Sequence, residues 1–151
     1  VGAQLAFAIQ NNDMFAYERD LESMSRRYKD YVMLYLLSVI VRRFEQGETP
    51  QTAQEMAIQD RLPIRLVQQL LSRLEETNII RRVYVEQEED ETFVPALDTR
   101  KITVDMVVGR ISAQGTEEFL QHTPPQMHAF WKRYLQMCEA NTSDNILVSD
   151  L

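Results

Sequence analysis

The sequence of 151 residues is poor in several features that would narrow its function at once. It contains one cysteine, Cys138, which excludes an intrachain disulfide framework and favours a reducing compartment. Only four glycines are present, which favours helices over a loop-rich fold. No apolar run reaches the roughly 18 residues needed to span a bilayer. What remains has the composition of an ordinary globular protein, with 44% apolar and 26% charged residues, and a single domain is expected.

The sequence also lacks the motifs that bind catalytic groups. It contains no P-loop, no G-x-S-x-G, no HExxH and no CxxC pair. The only histidines, His122 and His128, precede Cys138, and a metal site would need further ligands at compatible spacing. We therefore predict no catalytic residues, no metal site and no cofactor.

Charge of one sign is concentrated in a single stretch of the chain. The formal net charge is −7, and residues 83–98 contain six acidic residues and no basic residue. The rest of the chain is nearly neutral. This distribution disfavours a generic basic nucleic-acid binder and a polybasic membrane-surface protein.

The first long helix is predicted from an N-cap at Ser25 to about Glu45, with Gly47 as its stop signal. Within it, residues 31–41 are apolar except for Ser38. Eleven helical residues rise only about 16 Å, roughly half of a hydrocarbon core. We expect a buried helix that packs on two sides, either within its own domain or against another chain.

Two shorter helices follow, separated by a tight turn. Thr52 and Glu55 form a capping box at the start of the first, and Pro63 suits the first position of the second. The second helix has an apolar stripe at helical spacing that consists of Val67, Leu70, Leu71 and Leu74. Asn78 is expected to end this helix in a left-handed conformation. Its opposite face shows Arg65, Gln68, Gln69, Ser72 and Arg73. The two arginines and two glutamines of this face are called here the polar face.

A β-hairpin is predicted next. Ile79–Glu86 and Phe93–Leu97 have the composition of strands, and the acidic segment Gln87–Thr92 is expected to form the loop between them. Pro95 restricts the second strand to a sheet edge, because proline has no backbone N–H to donate.

Two further helices complete the predicted elements. Thr103 is expected to cap a helix over Val104–Ile111, and the last helix is expected to begin in the Thr123-Pro124-Pro125-Gln126 segment. The last helix carries an aromatic face at three- and four-residue steps, formed by Phe130, Trp131 and Tyr134. Docking on the chain's own domain is the ordinary role of such a face, and a partner-binding or dimerisation surface is the alternative.

This order of elements predicts a winged helix-turn-helix. The expected fold class is mainly α with a small β-hairpin, with extra N- and C-terminal helices around the motif. The expected boundaries are a stump and linker at 1–24, the winged domain at 25–112, and a C-terminal helix and tail at 113–151 that pack on it.

Two interpretations stay open for the polar face. Arginine can pair with guanine and glutamine with adenine in a major groove, whereas both are also good formers of any solvated helix face. The predicted β-hairpin is the wing of this fold. It opposes DNA binding, because its acidic side chains would repel a phosphate backbone. These side chains are Glu86, Glu88, Glu89, Asp90 and Glu91.

The opening VGAQLAFAIQN resembles the end of the final transmembrane helix of the YihY/BrkB family, bacterial inner-membrane proteins often labelled ribonuclease BN. LPIRLVQQLLSRLEETNIIRRV and FVPALDTRKITVDMVV are similar to the winged helix of the cytosolic extension that some members carry. The resemblance implies a fragment of a multi-span membrane protein, located at the cytoplasmic face of the inner membrane and joined to it through the preceding helices. No functional residue of that family maps to this chain.

The second half is also similar to winged-helix repressors that bind iron–sulfur clusters, whose wing is followed by a similar Pro-Ala and Ile-Thr-Val helix start. The cluster cysteines of those repressors are missing here, so a redox-sensor role does not follow. The expected function is a regulatory or protein-interaction domain of a membrane protein, with self-association or a protein partner. The alternative is a DNA-binding transcriptional regulator.

Overall fold

The structure is a computed structural model that describes residues 21–85, 90–117, 122–140 and 145–151. The apolar start Val1–Ile9 and the wing residues Glu86, Glu88 and Glu89 lie outside these ranges. The described residues form a mainly helical domain with one two-stranded antiparallel hairpin, which confirms the predicted fold class.

The elements follow the predicted order. The helices and strands are α1 (Arg26–Glu45), α2 (Ala53–Asp60), α3 (Ile64–Glu76), β1 (Ile80–Tyr84), β2 (Glu91–Pro95), α4 (Val104–Ser112) and α5 (Pro125–Ala140). Short 3-10 turns lie at Thr99–Lys101 and Val148–Asp150.

Helix α1 is the centre of the domain. Ser25 caps it as predicted, because its hydroxyl accepts the Tyr28 N–H at 3.3 Å. The helix contacts α3, β2, α4 and the C-terminal turn, so its two-sided packing occurs within the domain. Tyr31 stays 65% exposed on the remaining side. The buried side chains of α1 are Val32, Met33, Leu36, Leu37, Ser38, Ile40 and Val41.

The capping box of α2 is present with both of its hydrogen bonds. The Glu55 N–H donates to Thr52 Oγ1 at 3.1 Å, and the Thr52 N–H donates to Glu55 Oε2 at 2.8 Å. Pro63 stands one residue before α3 and not within it, with φ −59° and ψ 130°. Because ψ is extended there, the helical conformation begins only at Ile64. All four residues of the predicted apolar stripe of α3 are buried, and Leu66, which the prediction did not include, is buried with them.

The hairpin differs from the prediction in the position of its second strand. β2 begins at Glu91, two residues before the predicted start, and the predicted loop Gln87–Thr92 therefore extended too far. Thr92 enters the strand although it is polar, because its hydroxyl donates to the Val83 carbonyl at 2.8 Å in a buried position. Pro95 lies at the strand end, opposite Ile80, where the missing N–H is tolerated.

The C-terminal tail packs against the domain next to α1. Val148 is completely buried, and its N–H donates to the Ile102 carbonyl at 2.9 Å. The Val104 N–H donates to the Ile146 carbonyl at the same distance. The tail therefore contributes an apolar side chain and two backbone hydrogen bonds at the start of α4.

We expect Thr52→Ala to lower the free energy of unfolding by about 1 kcal/mol, because it removes the side-chain acceptor of the capping box. Urea denaturation followed by circular dichroism measures this change. Thr49→Ala is the control, since Thr49 is exposed and precedes the helix. Equal stability of the two variants would contradict a stabilising cap at Thr52.

Candidate nucleic-acid interface

The polar face of α3 points away from the core because the opposite stripe is buried. Arg65, Gln68 and Gln69 are exposed, and Arg73 is half-buried one turn further along the helix. The structure therefore brings three of the four predicted side chains to the surface near the start of α3. Arg73 extends the same face towards its C-terminal half.

The start of α3 is positioned by a tight turn after α2. Arg61 adopts a left-handed conformation with φ +53°, and the Leu62 N–H donates to the Ala57 carbonyl at 2.9 Å. The Tyr35 hydroxyl of α1 donates to Asp60 Oδ1 at 2.8 Å. This hydrogen bond raises the pKa of Tyr35, because it stabilises the protonated phenol next to a carboxylate. The turn is thus connected to the central helix.

The end of α3 is held by backbone and side-chain contacts. Asn78 has φ +58°, which confirms the predicted left-handed end, and the Ile79 N–H donates to the Leu74 carbonyl at 3.0 Å. Arg110 of α4 donates from Nη1 to the Thr77 and Asn78 carbonyls at 3.3 and 3.4 Å. The positive charge of Arg110 also interacts favourably with the negative end of the α3 helix dipole.

Arg82 connects the wing to α3. Its guanidinium binds Glu91 Oε2 of β2 at 2.5 Å and Glu75 Oε2 of α3 at 2.7 Å, and it lies 5.8 Å from the centre of the Phe93 ring. The hydrogen bonds to Glu91 and then to Glu75 raise the pKa of Arg82. The hairpin therefore has a fixed attachment to the helix that carries the polar face.

The wing is less one-sided in charge than the linear stretch 83–98 indicates. Antiparallel pairing places Arg81 opposite Val94 and Arg82 opposite Phe93, so two cations of β1 belong to the same hairpin as the acidic residues. Arg81 is exposed, and Arg82 pairs with Glu91. Of the predicted acidic wing residues, only Asp90 and Glu91 lie in the described part of the chain.

Lys29 joins the polar face from a distant part of the sequence. A cleft of about 410 Å³ is lined by Lys29 together with Arg65, Gln68 and Gln69, and also by Leu21 and Glu22. The sequence contains no local signal for this proximity, because it depends on how the first turn of α1 crosses α3.

The aromatic face of α5 is exposed. Phe130, Trp131 and Tyr134 are 57%, 44% and 45% exposed, and the Trp131 and Tyr134 ring centres are 5.6 Å apart. Every side chain of α5 from Pro125 to Glu139 is exposed. Docking of this face on the chain's own domain is therefore not seen among the described residues.

Candidate metal ligands do not converge in the part of the chain that the structure describes. No group of three or more His, Cys, Asp or Glu side chains there is placed to hold a metal ion. Cys138 is exposed on α5.

Comparison with known proteins identifies the fold. No family model and no curated protein matches the sequence. Among solved structures, T. potens IscR is 19% identical with a TM-score of 0.55, and the match covers 84% of this chain and 83% of that one. CymR (YrzC), the global cysteine regulator of B. subtilis, is 17% identical with a TM-score of 0.55, over 84% and 93% of the two chains. Staphylococcus aureus CymR is 16% identical with a TM-score of 0.53, over 81% and 93%.

These comparisons confirm the winged-helix fold and correct the predicted family. The similar structures, T. potens IscR and the global cysteine regulator CymR, match more than four-fifths of this chain, so the prediction of a YihY/BrkB membrane-protein fragment is wrong, and its inner-membrane attachment has no support. Across the described ranges, no helix is both long and apolar enough to cross a bilayer. The similarity to a membrane helix rested on the short apolar segment Val1–Asn11, whereas the fold similarity extends over more than four-fifths of the chain.

Proposed function

We propose that this chain is a DNA-binding transcriptional regulator whose helix α3 enters a major groove. The observation that carries the proposal is the exposure of Arg65, Gln68 and Gln69 on the second helix of a helix-turn-helix. Arginine is suited to guanine and glutamine to adenine, and side chains near the start of such a helix are the ones that reach base edges. The regulators with a similar fold support this proposal. A regulator of this kind would act in the cytosol, where bacterial DNA is located.

The charges around α3 favour contact with a phosphate backbone more than the net charge indicates. Lys29 lies beside the polar face, and Arg81 is exposed on the adjacent hairpin strand. Arg82 pairs with both Glu91 and Glu75, so it reduces the repulsion between Glu91 and a phosphate without cancelling it. The remaining acidic wing residues still oppose close approach of the wing, so we assign the main contact to α3 and the start of α1.

We expect the chain to bind duplex DNA with an affinity that falls steeply as salt rises, because cation–phosphate contacts release counterions. Arg65→Ala should weaken binding by roughly tenfold, and by more if Arg65 contacts a base edge. Fluorescence anisotropy with a short mixed-sequence duplex at two salt concentrations measures both effects.

The matched control is Lys101→Ala, which removes one positive charge from an exposed residue beyond the base of the hairpin. A loss equal to that of Arg65→Ala would show that only overall charge matters. Absence of binding to the wild-type chain at low salt would reject the proposed function.

The regulator is further proposed to pair with a second copy of itself through α5. The aromatic face lies on one side of a 16-residue helix, at spacings that suit packing of one helix against its symmetric copy. The helix carries Lys132, Arg133 and Glu139, so two copies meet with little net repulsion. Exposed aromatic residues of this number are common at association surfaces.

We expect Trp131→Lys to convert a dimer to a monomer in sedimentation-velocity experiments over a range of protein concentrations, because it introduces a charge into the paired face. Gln136→Lys is the control, since it adds the same charge on the opposite side of α5. A monomeric wild-type chain, or a dimer that survives Trp131→Lys, would contradict pairing through this face.

A further inference from the structure

Arg61 has a backbone conformation that arginine rarely adopts. It lies in the turn between α2 and α3, and its φ of +53° and ψ of +40° are in the left-handed region. In that region the Cβ of an L-residue crowds the following carbonyl oxygen, and glycine is the usual occupant. The turn of a helix-turn-helix also often contains a glycine. The chain therefore has an arginine at a position where the backbone favours glycine.

The left-handed conformation follows from the contacts of the turn and not from the arginine. With residue 61 in this conformation, the Leu62 N–H donates to the Ala57 carbonyl at 2.9 Å and closes the end of α2. Leu62 and Ile64 then pack against the main core. None of these contacts uses the Arg61 side chain, so they do not account for an arginine here. An unfavourable backbone conformation at an exposed turn is a reason to look for a function of its side chain.

The positive charge of Arg61 is available to bind an anion. The residue is exposed, and it forms no ion pair with any other residue that the structure describes. The carboxylate of the preceding Asp60 accepts the Tyr35 hydroxyl at 2.8 Å, which directs it towards α1.

Arg61 also lies beside the part of the molecule that would enter DNA. Arg65 follows it by four positions, so their Cα atoms are at most about 14 Å apart. A helix with its side chains is about 10–12 Å across and fills a major groove about 12 Å wide. A side chain just outside the start of α3 therefore lies near the phosphates that border the groove. Contacts to such phosphates set the register and orientation of a protein on the duplex.

A purely structural role for the same charge makes a different prediction. Arg61 lies at the end of α2, where a cation interacts favourably with the negative end of the helix dipole. If this were its only role, removing the charge would change stability and leave the salt dependence of DNA binding as it is.

We propose that Arg61 contacts a phosphate of the DNA backbone and thereby positions the start of α3 in the major groove. The left-handed turn fixes the point from which its side chain extends. The inference rests on the proposed function, because it adds a contact to the same complex with DNA.

Arg61→Gly removes the charge and supplies the residue that suits the left-handed backbone. The variant should therefore stay folded, with a thermal unfolding midpoint no lower than that of the wild-type chain, and should bind a mixed-sequence duplex more weakly. One phosphate contact contributes about 0.9 to the slope of log affinity against log salt, so the wild-type advantage should shrink about 3.5-fold between 50 and 200 mM salt. Fluorescence anisotropy at the two salt concentrations measures this change.

Two control variants separate the charge from the backbone. Arg61→Lys keeps the charge and should retain the wild-type slope. Asn78→Gly makes the same backbone change without loss of charge, because Asn78 is the other non-glycine residue with positive φ in the described ranges. It should bind DNA with the wild-type affinity and slope.

The slopes separate failure of this contact from failure of the proposed function. If the wild-type chain binds DNA, Arg65→Ala weakens binding and Arg61→Gly keeps the wild-type slope, the Arg61 contact is rejected and the proposed function stands. An equal change of slope in Asn78→Gly would also reject the contact. If the wild-type chain fails to bind at low salt, the proposed function and the contact are both rejected.

Discussion

The fixed orientation of α3 about its own axis is the constraint on which the rest of the structure depends. Five of its thirteen residues are at most 1% exposed, and truncating one such leucine to alanine typically costs about 2–5 kcal/mol. The helix cannot rotate without exposing this stripe, so Arg65, Gln68 and Gln69 must face outwards. The Tyr35–Asp60 hydrogen bond at the turn, the Arg82–Glu75 ion pair at the wing and the Arg110 contacts at the helix end then fix the neighbouring elements around that orientation.

The features that sequence analysis predicted correctly are those with a local physical cause. The Thr52–Glu55 capping box, the Ser25 cap and the left-handed Asn78 each depend on residues within a few positions of one another. The apolar stripe of α3 follows from helical periodicity in the same way. Because these signals are independent and agree, the order of helices and hairpin could be predicted before the structure.

The features that were missed depend on contacts between distant residues. Thr92 lies in a strand because its hydroxyl donates a hydrogen bond to the Val83 carbonyl. Lys29 lies beside the polar face because α1 contacts α3. Charge was misjudged for the same reason, since the stretch 83–98 excludes the two arginines that antiparallel pairing places in the hairpin. The family assignment gave weight to a short apolar segment, and a similarity of composition at that length does not distinguish a membrane helix from the start of another domain.

Helix α3 is proposed to bind DNA, and helix α5 is proposed to pair with a second copy of the chain. The central claim is that DNA meets the polar face of α3, and the side-chain amide NMR signals of Gln68 and Gln69 test this claim most directly. On titration with duplex DNA, we expect these signals to shift most strongly, with no comparable change for the amide of Gln136 on α5. Larger changes on α5 than on α3, or no change at Gln68 and Gln69 while DNA binds, would contradict the account.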